Sequence, residues 1–102
     1  MGKLSGIKVV DLSVFLPGPM LTMMMADQGA EVIKIETATG DPAREQAPFE
    51  AGQSVWVRDL NRGKKSMVLD LEDEKGKTPA WDLIEGAEVF VEGVRPRVML
   101  GL

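Results

Sequence analysis

The sequence predicts an α/β fold, an open parallel sheet of about four strands with flanking helices. Three observations point to it. Strand-length apolar runs rich in β-branched residues stand at 7–12, 32–35, 67–71 and 89–91. Helix-compatible stretches separate the first run from the second and the third from the fourth, giving two β–α–β passes. Such passes imply parallel strands joined by right-handed crossovers. Pro and Gly mark the joints, above all Pro17-Gly18-Pro19 after the first strand. Ligands of open α/β sheets bind at the carboxyl ends of the strands, so this turn is the first place to look for function.

Each element follows from local chemistry. Ile7 to Leu12 forms the first strand, and Asp11 to Pro19 a tight turn in which Asp11 suits a structural cap. Pro19 opens a helix, since its missing N–H would be unpaired there anyway. Met20, Leu21, Met23, Met24, Met25 and Ala26 leave little polar face, so the helix is expected to be well buried, its methionines filling core. Gly29 ends it in a left-handed conformation. Residues 36–51 are polar, with Gly40, Pro42 and Pro48, and read as a long loop over the sheet. Val55, Trp56, Val57 and Leu60 suit a short helix or turn on the core. Asn61 to Ser66 is a basic turn, and Met67 to Leu71 the third strand. Glu72-Asp73-Glu74-Lys75 reads as solvated surface. Thr78 caps, Pro79 starts and Gly86 stops the next helix, before a fourth strand at 89–91.

Composition narrows the chemistry. The 102 residues suffice for one small domain; 44 % are hydrophobic and 27 % charged, ordinary for a folded protein. A net charge of −4 argues against a general nucleic-acid binder. With no Cys and no His, the chain has no thiolate metal site, disulfide, Ser-His-Asp triad or histidine acid/base of its own. No metal is expected. No apolar run reaches the length of a membrane span, and no targeting segment is visible. The lack of cysteine, and so of disulfides, fits a cytoplasmic location, which is expected here, with no membrane partner. Neither GxGxxG nor GxxxxGK[ST] occurs.

Three segments are expected to converge on one sheet edge: Ser13 to Gly18, Asn61 to Ser66, and Glu92 to Arg97. Two are basic, and the first presents a helix N-terminus. Unpaired N–H groups, the helix dipole and Lys/Arg side chains together favour an anion such as a phosphorylated ligand. A solvated basic turn is the competing reading of Lys64-Lys65, and plain exposure that of Arg95 and Arg97.

In order along the chain, these segments resemble the N-terminal part of the family III CoA-transferases, the CaiB/BaiF group that includes formyl-CoA and crotonobetainyl-CoA transferases, with α-methylacyl-CoA racemases as relatives. The resemblance rests on Leu4 to Leu12, Pro17-Gly18-Pro19, the string Gly29-Ala30-Glu31-Val32-Ile33-Lys34-Ile35-Glu36, Gly40-Asp41-Pro42 with Arg44, Asn61-Arg62-Gly63-Lys64-Lys65-Ser66, Leu69-Asp70-Leu71, and Val89 to Glu92 with Arg95-Pro96. It implies that residues 1–102 are a Rossmann-like CoA-binding portion, incomplete relative to the family. The implied ligand is coenzyme A or acyl-CoA as substrate. The implied contacts are Phe15, Leu16 and Pro17 in the first turn, Lys64 and Lys65 in the basic turn, and Gly93, Val94, Arg95 and Met99 after the fourth strand.

Two departures qualify the resemblance. The last motif of the family usually reads Glu-Asn-aromatic-Arg-Pro-Gly; here Gly93, Val94 and Arg97 replace the Asn, the aromatic and the Gly. Base–aromatic stacking is worth roughly 1–3 kcal/mol in comparable settings, so adenine binding is expected to be weaker. Family members are also several times longer, and their catalytic aspartate lies beyond position 102. That carboxylate attacks the acyl-CoA thioester and forms a mixed anhydride. No catalytic residue is therefore expected in this chain, and Asp11, Asp27 and Asp70 read as structural. The family also implies an interlocked homodimer. The remaining readings are a truncated, non-catalytic product that assembles with a complementary C-terminal chain, and the racemase branch.

Overall fold

A computed structural model describes the protein at residues 2–14, 17–37, 42–45 and 47–93. The elements are β1 (Lys8–Leu12), α1 (Pro17–Asp27), β2 (Glu31–Glu36), a 3-10 turn (Pro42–Glu45), β3 (Phe49–Glu50), β4 (Gln53–Ser54), α2 (Val55–Leu60), β5 (Lys65–Val68), α3 (Glu74–Glu85) and β6 (Val89–Glu92). Four strands form one parallel sheet in the order β5-β2-β1-β6, and β3 and β4 form a small antiparallel hairpin. Numbered along the chain within the large sheet, that order is 3-2-1-4, the Rossmann-like arrangement. The strand order reverses between β1 and β6, and this is where such sheets hold ligands.

Alternation along the strands splits the core in two. Val10, Leu12 and Ile35 face α3 and pack with Ala80, Leu83, Ile84 and Phe90. Val9 and Val32 face α1 and pack with Ala30, Met25, Ala26, Val89 and Val91. Burying each Val side chain contributes roughly 1.5–3 kcal/mol. The same alternation puts Asp11 and Lys34, paired in register, on the α1 side with Val9 and Val32.

Several elements depart from the sequence expectation. Helix α1 begins at Pro17 rather than Pro19. It is not well buried: Pro19 and Thr22 are buried, but Met20, Leu21 and Met24 are 41–55 % exposed. A helix apolar all round has one side too many for a single sheet, and no described residue covers the other. Gly29 does take the left-handed conformation, φ +99°. The long loop contains the 3-10 turn and β3, and the hairpin closes beyond it with β4.

Strand β5 starts two residues early, at Lys65, because it pairs with β2 from Ile33 onward. Helix α3 starts at Glu74, not at Pro79. Asp73 caps it by accepting the Lys75 N–H at 3.0 Å. Pro79 sits inside the helix, lacking only the N–H that would meet the Lys75 carbonyl. Gly76 lets α3 seat on the Asp70 carbonyl, where a Cβ has no room. No helix among the described residues is long and apolar enough to cross a membrane.

Candidate functional site at the carboxyl edge of the sheet

The carboxyl ends of β1 and β6 meet as the sequence predicts. A Cβ placed on Gly93 would lie 3.4 Å from the Ser13 Cβ, and the α1 residue Gly18 lies against Ser13 as well. Ser13, Gly18 and Gly93 thus pack closely together where the strand order reverses. Pro17, the first residue of α1, is exposed beside them. Phe15, Leu16, Val94, Arg95 and Met99 lie outside the described residues, as does Arg97.

Asp11 organises this edge. Its side chain is fully buried, and both carboxylate oxygens are used. Oδ1 accepts from the Ser13 N–H at 2.8 Å and from the Ser13 hydroxyl. Oδ2 accepts from the Thr22 hydroxyl at 2.6 Å and from the Lys64 ammonium at 3.0 Å. Burial by itself pushes the Asp11 carboxyl up. Hydrogen bonds from Ser13 and Thr22 and the charge of Lys64 outweigh it and hold the group below its ordinary value. The Ser13 carbonyl is held too, by the buried Lys34 ammonium at 3.2 Å. The structural role expected for Asp11 is therefore observed, but Thr22 and Lys34 have no counterpart in the sequence reading. A lone Thr in an apolar helix and a Lys in a strand give no signal until the register places them beside Asp11.

The basic turn does not join this edge as expected. Residues 61–64 lead into β5 and so open that strand instead of following one. The turn sits at the far end of α1: Arg62 pairs with Asp27 at 2.7 Å, and a Gly63 Cβ would touch Ala26. Lys65 is exposed and reaches Glu31, the first residue of β2, at 3.3 Å, which is the amino edge of the sheet. Lys64 turns inward beneath α1. Its ammonium donates to Asp11 Oδ2, to the Pro19 carbonyl at 3.1 Å and to Asn61 Oδ1 at 3.0 Å, and its side chain is 1 % exposed. An ammonium has three protons, and Lys64 meets at least these three acceptors.

The N-terminus of α1 is also a weaker anion site than a typical helix start. Of its first four residues, Pro17 and Pro19 carry no N–H, leaving those of Gly18 and Met20. Among the described residues, the start of α1 therefore presents the exposed Pro17 and few backbone donors. At the carboxyl end of β2, Glu36 is buried and held by Arg44 through two-pronged contacts at 2.7–3.2 Å. This pair ties the 3-10 turn to the same edge. Among the described residues, no three acidic side chains gather as a metal-ligand group.

A parallel sheet in 3-2-1-4 order, with Ser13, Gly18 and Gly93 meeting at its reversal, defines a Rossmann-like α/β domain. Residues 4–102 match the sequence profile of CoA-transferase family III. The chain belongs to that family. It is 38 % identical over 104 residues to the succinyl-CoA:mesaconate CoA-transferase of Haloarcula hispanica, covering 97 % of this chain and 26 % of the relative. It is 39 % identical over 99 residues to the acetyl-CoA:oxalate CoA-transferase of Acetobacter aceti, covering 96 % and 25 %. The crystal structure of a CaiB/BaiF family protein from Brucella suis superposes with a TM-score of 0.83 at 34 % identity, covering 89 % of this chain and 25 % of that one. The chain spans about a quarter of the length of these relatives.

Proposed function

We propose that residues 1–102 hold the nucleotide part of coenzyme A or an acyl-CoA, within an activity that transfers CoA between carboxylic acids. The observation that carries this reading is the abutment of Ser13 and Gly93 at the strand-order reversal. Phe15, Leu16 and Pro17 form one wall for the adenosine portion, and Gly93, Val94, Arg95 and Met99 the opposite wall. Arg95 supplies positive charge toward the phosphates, whereas Lys65, paired with Glu31 at the amino edge, is not part of this site. Membership of the family and relatives that act on CoA thioesters support the ligand class.

The acyl-carrying carboxylate of the reaction lies outside these residues in this reading. Asp11 is unsuited to it, being buried with both oxygens occupied, and Asp27 is engaged by Arg62. Isothermal titration of the chain with CoA, against pantetheine as control, tests the proposal. Saturable binding of CoA with none of pantetheine is expected. Absence of CoA binding at millimolar ligand overturns it.

A further inference from the structure

We infer that Lys64 is a positioning residue, which fixes the β1–α1 turn through Asp11 and does not touch the ligand. This deepens the reading of the site as a CoA-binding edge and rests on it. The Asp11 carboxylate joins three separate pieces of chain. Through Ser13 it fixes the exit of β1, through Thr22 the second turn of α1, and through Lys64 the entry to β5. Lys64 adds a direct tie to the first turn of α1, at the Pro19 carbonyl. The exit of β1 and the start of α1 are thus set relative to one another by side chains lying wholly under the helix.

The position of Lys64 supports the assignment. Its charge is met by Asp11 at 3.0 Å, and it also donates to Pro19 and Asn61. Presenting the ammonium to a phosphate would strip a buried carboxylate of its counter-charge. Lys65, one residue on, has 74 % of its side chain exposed and follows the opposite face of the strand. The two lysines of the basic turn therefore have different tasks, one internal and one facing solvent.

The test uses the whole chain and CoA. Reductive methylation read by mass spectrometry is run on the wild-type chain with and without CoA. Lys64 stays unmodified in both and Lys65 is modified in the free chain. Lys64 modified in the free chain and protected by CoA makes it a ligand contact and overturns the inference. Thr22→Val removes one donor to Asp11 and keeps every charge. It is expected to weaken CoA binding about tenfold with an unchanged salt dependence, and Thr22→Ser, which keeps the hydroxyl, is expected to restore binding. Wild-type affinity in a folded Thr22→Val chain overturns the inference. If Thr22→Val does not fold, Thr22→Ser decides: wild-type binding supports the inference and a weakened folded variant overturns it. A wild-type chain that binds no CoA fails the reading of the site instead, and is distinguished because the shielding of Lys64 is read without ligand.

Discussion

Replacing Lys64 by Met keeps the length of the side chain and removes its charge. Asp11 Oδ1 retains Ser13 and Oδ2 retains Thr22, but the counter-charge is gone. The two side chains are 1 % and 0 % exposed, so water does not screen the loss. Breaking a buried pair on one side costs about 3–5 kcal/mol. Protonation sets a limit of similar size: neutralising an ordinary carboxyl at pH 7 costs about 4 kcal/mol, roughly three pKa units at about 1.4 kcal/mol each. Against a total stability of about 5–15 kcal/mol for a small domain, that is a large fraction. Urea denaturation followed by circular dichroism at pH 7 is expected to show a midpoint lowered by more than about 1 M. The deficit should shrink as the pH is lowered toward 5, because Asp11 of the variant can then take up a proton. The double variant Asp11→Leu/Lys64→Met removes both charges and should recover at least about 2 kcal/mol relative to the sum of the single changes. A single variant within about 1 kcal/mol of wild type, or strict additivity in the double, refutes the buried-pair reasoning.

Three other outcomes are expected. Asp11 has a lowered pKa in the folded chain, so its contribution to stability is present above its unfolded value of about 3.8 and is lost as the pH falls through its folded one; thermal melts from pH 5 to pH 2 should show a decline that Asp11→Asn lacks. Gly76→Ala should destabilise by about 1–3 kcal/mol by calorimetry, despite Ala's helix propensity, because its Cβ meets the Asp70 carbonyl. Asp73→Ala should cost about 0.5–2 kcal/mol in chemical denaturation by removing the cap of α3, whereas Thr78→Ala should cost much less, since Thr78 lies inside that helix.

Much of the fold was legible because strand periodicity in a parallel sheet leaves a strong mark. Val9-Val10, Val32-Ile33 and Val89-Phe90-Val91 sit in central or flanking strands and read as apolar runs. Strand β5 was displaced because Lys65 and Ser66 do not look like strand residues, and at the sheet edge they need not. The start of α3 was hidden by two strong local signals in competition. Thr78-Pro79 resembles a helix start, while Asp73 was lost among charged neighbours although its carboxylate is the cap. The site was legible where it depends on topology, at Ser13 and Gly93. It was misread where it depends on contacts between distant residues. Nothing local shows that Lys64 meets an aspartate 53 positions earlier, or that Lys65 turns to the amino edge.

The uncovered side of α1 bears on how the chain behaves at high concentration. Met20, Leu21 and Met24 present apolar side chains to solvent on consecutive helical turns. At neutral pH the net charge of −4 keeps molecules apart. Near the isoelectric point of about 4.8 that repulsion vanishes, while the Asp11–Lys64 pair still holds the fold together. Colloidal stability therefore fails before conformational stability does as the solution is acidified, and light scattering rises in a pH range where circular dichroism remains native.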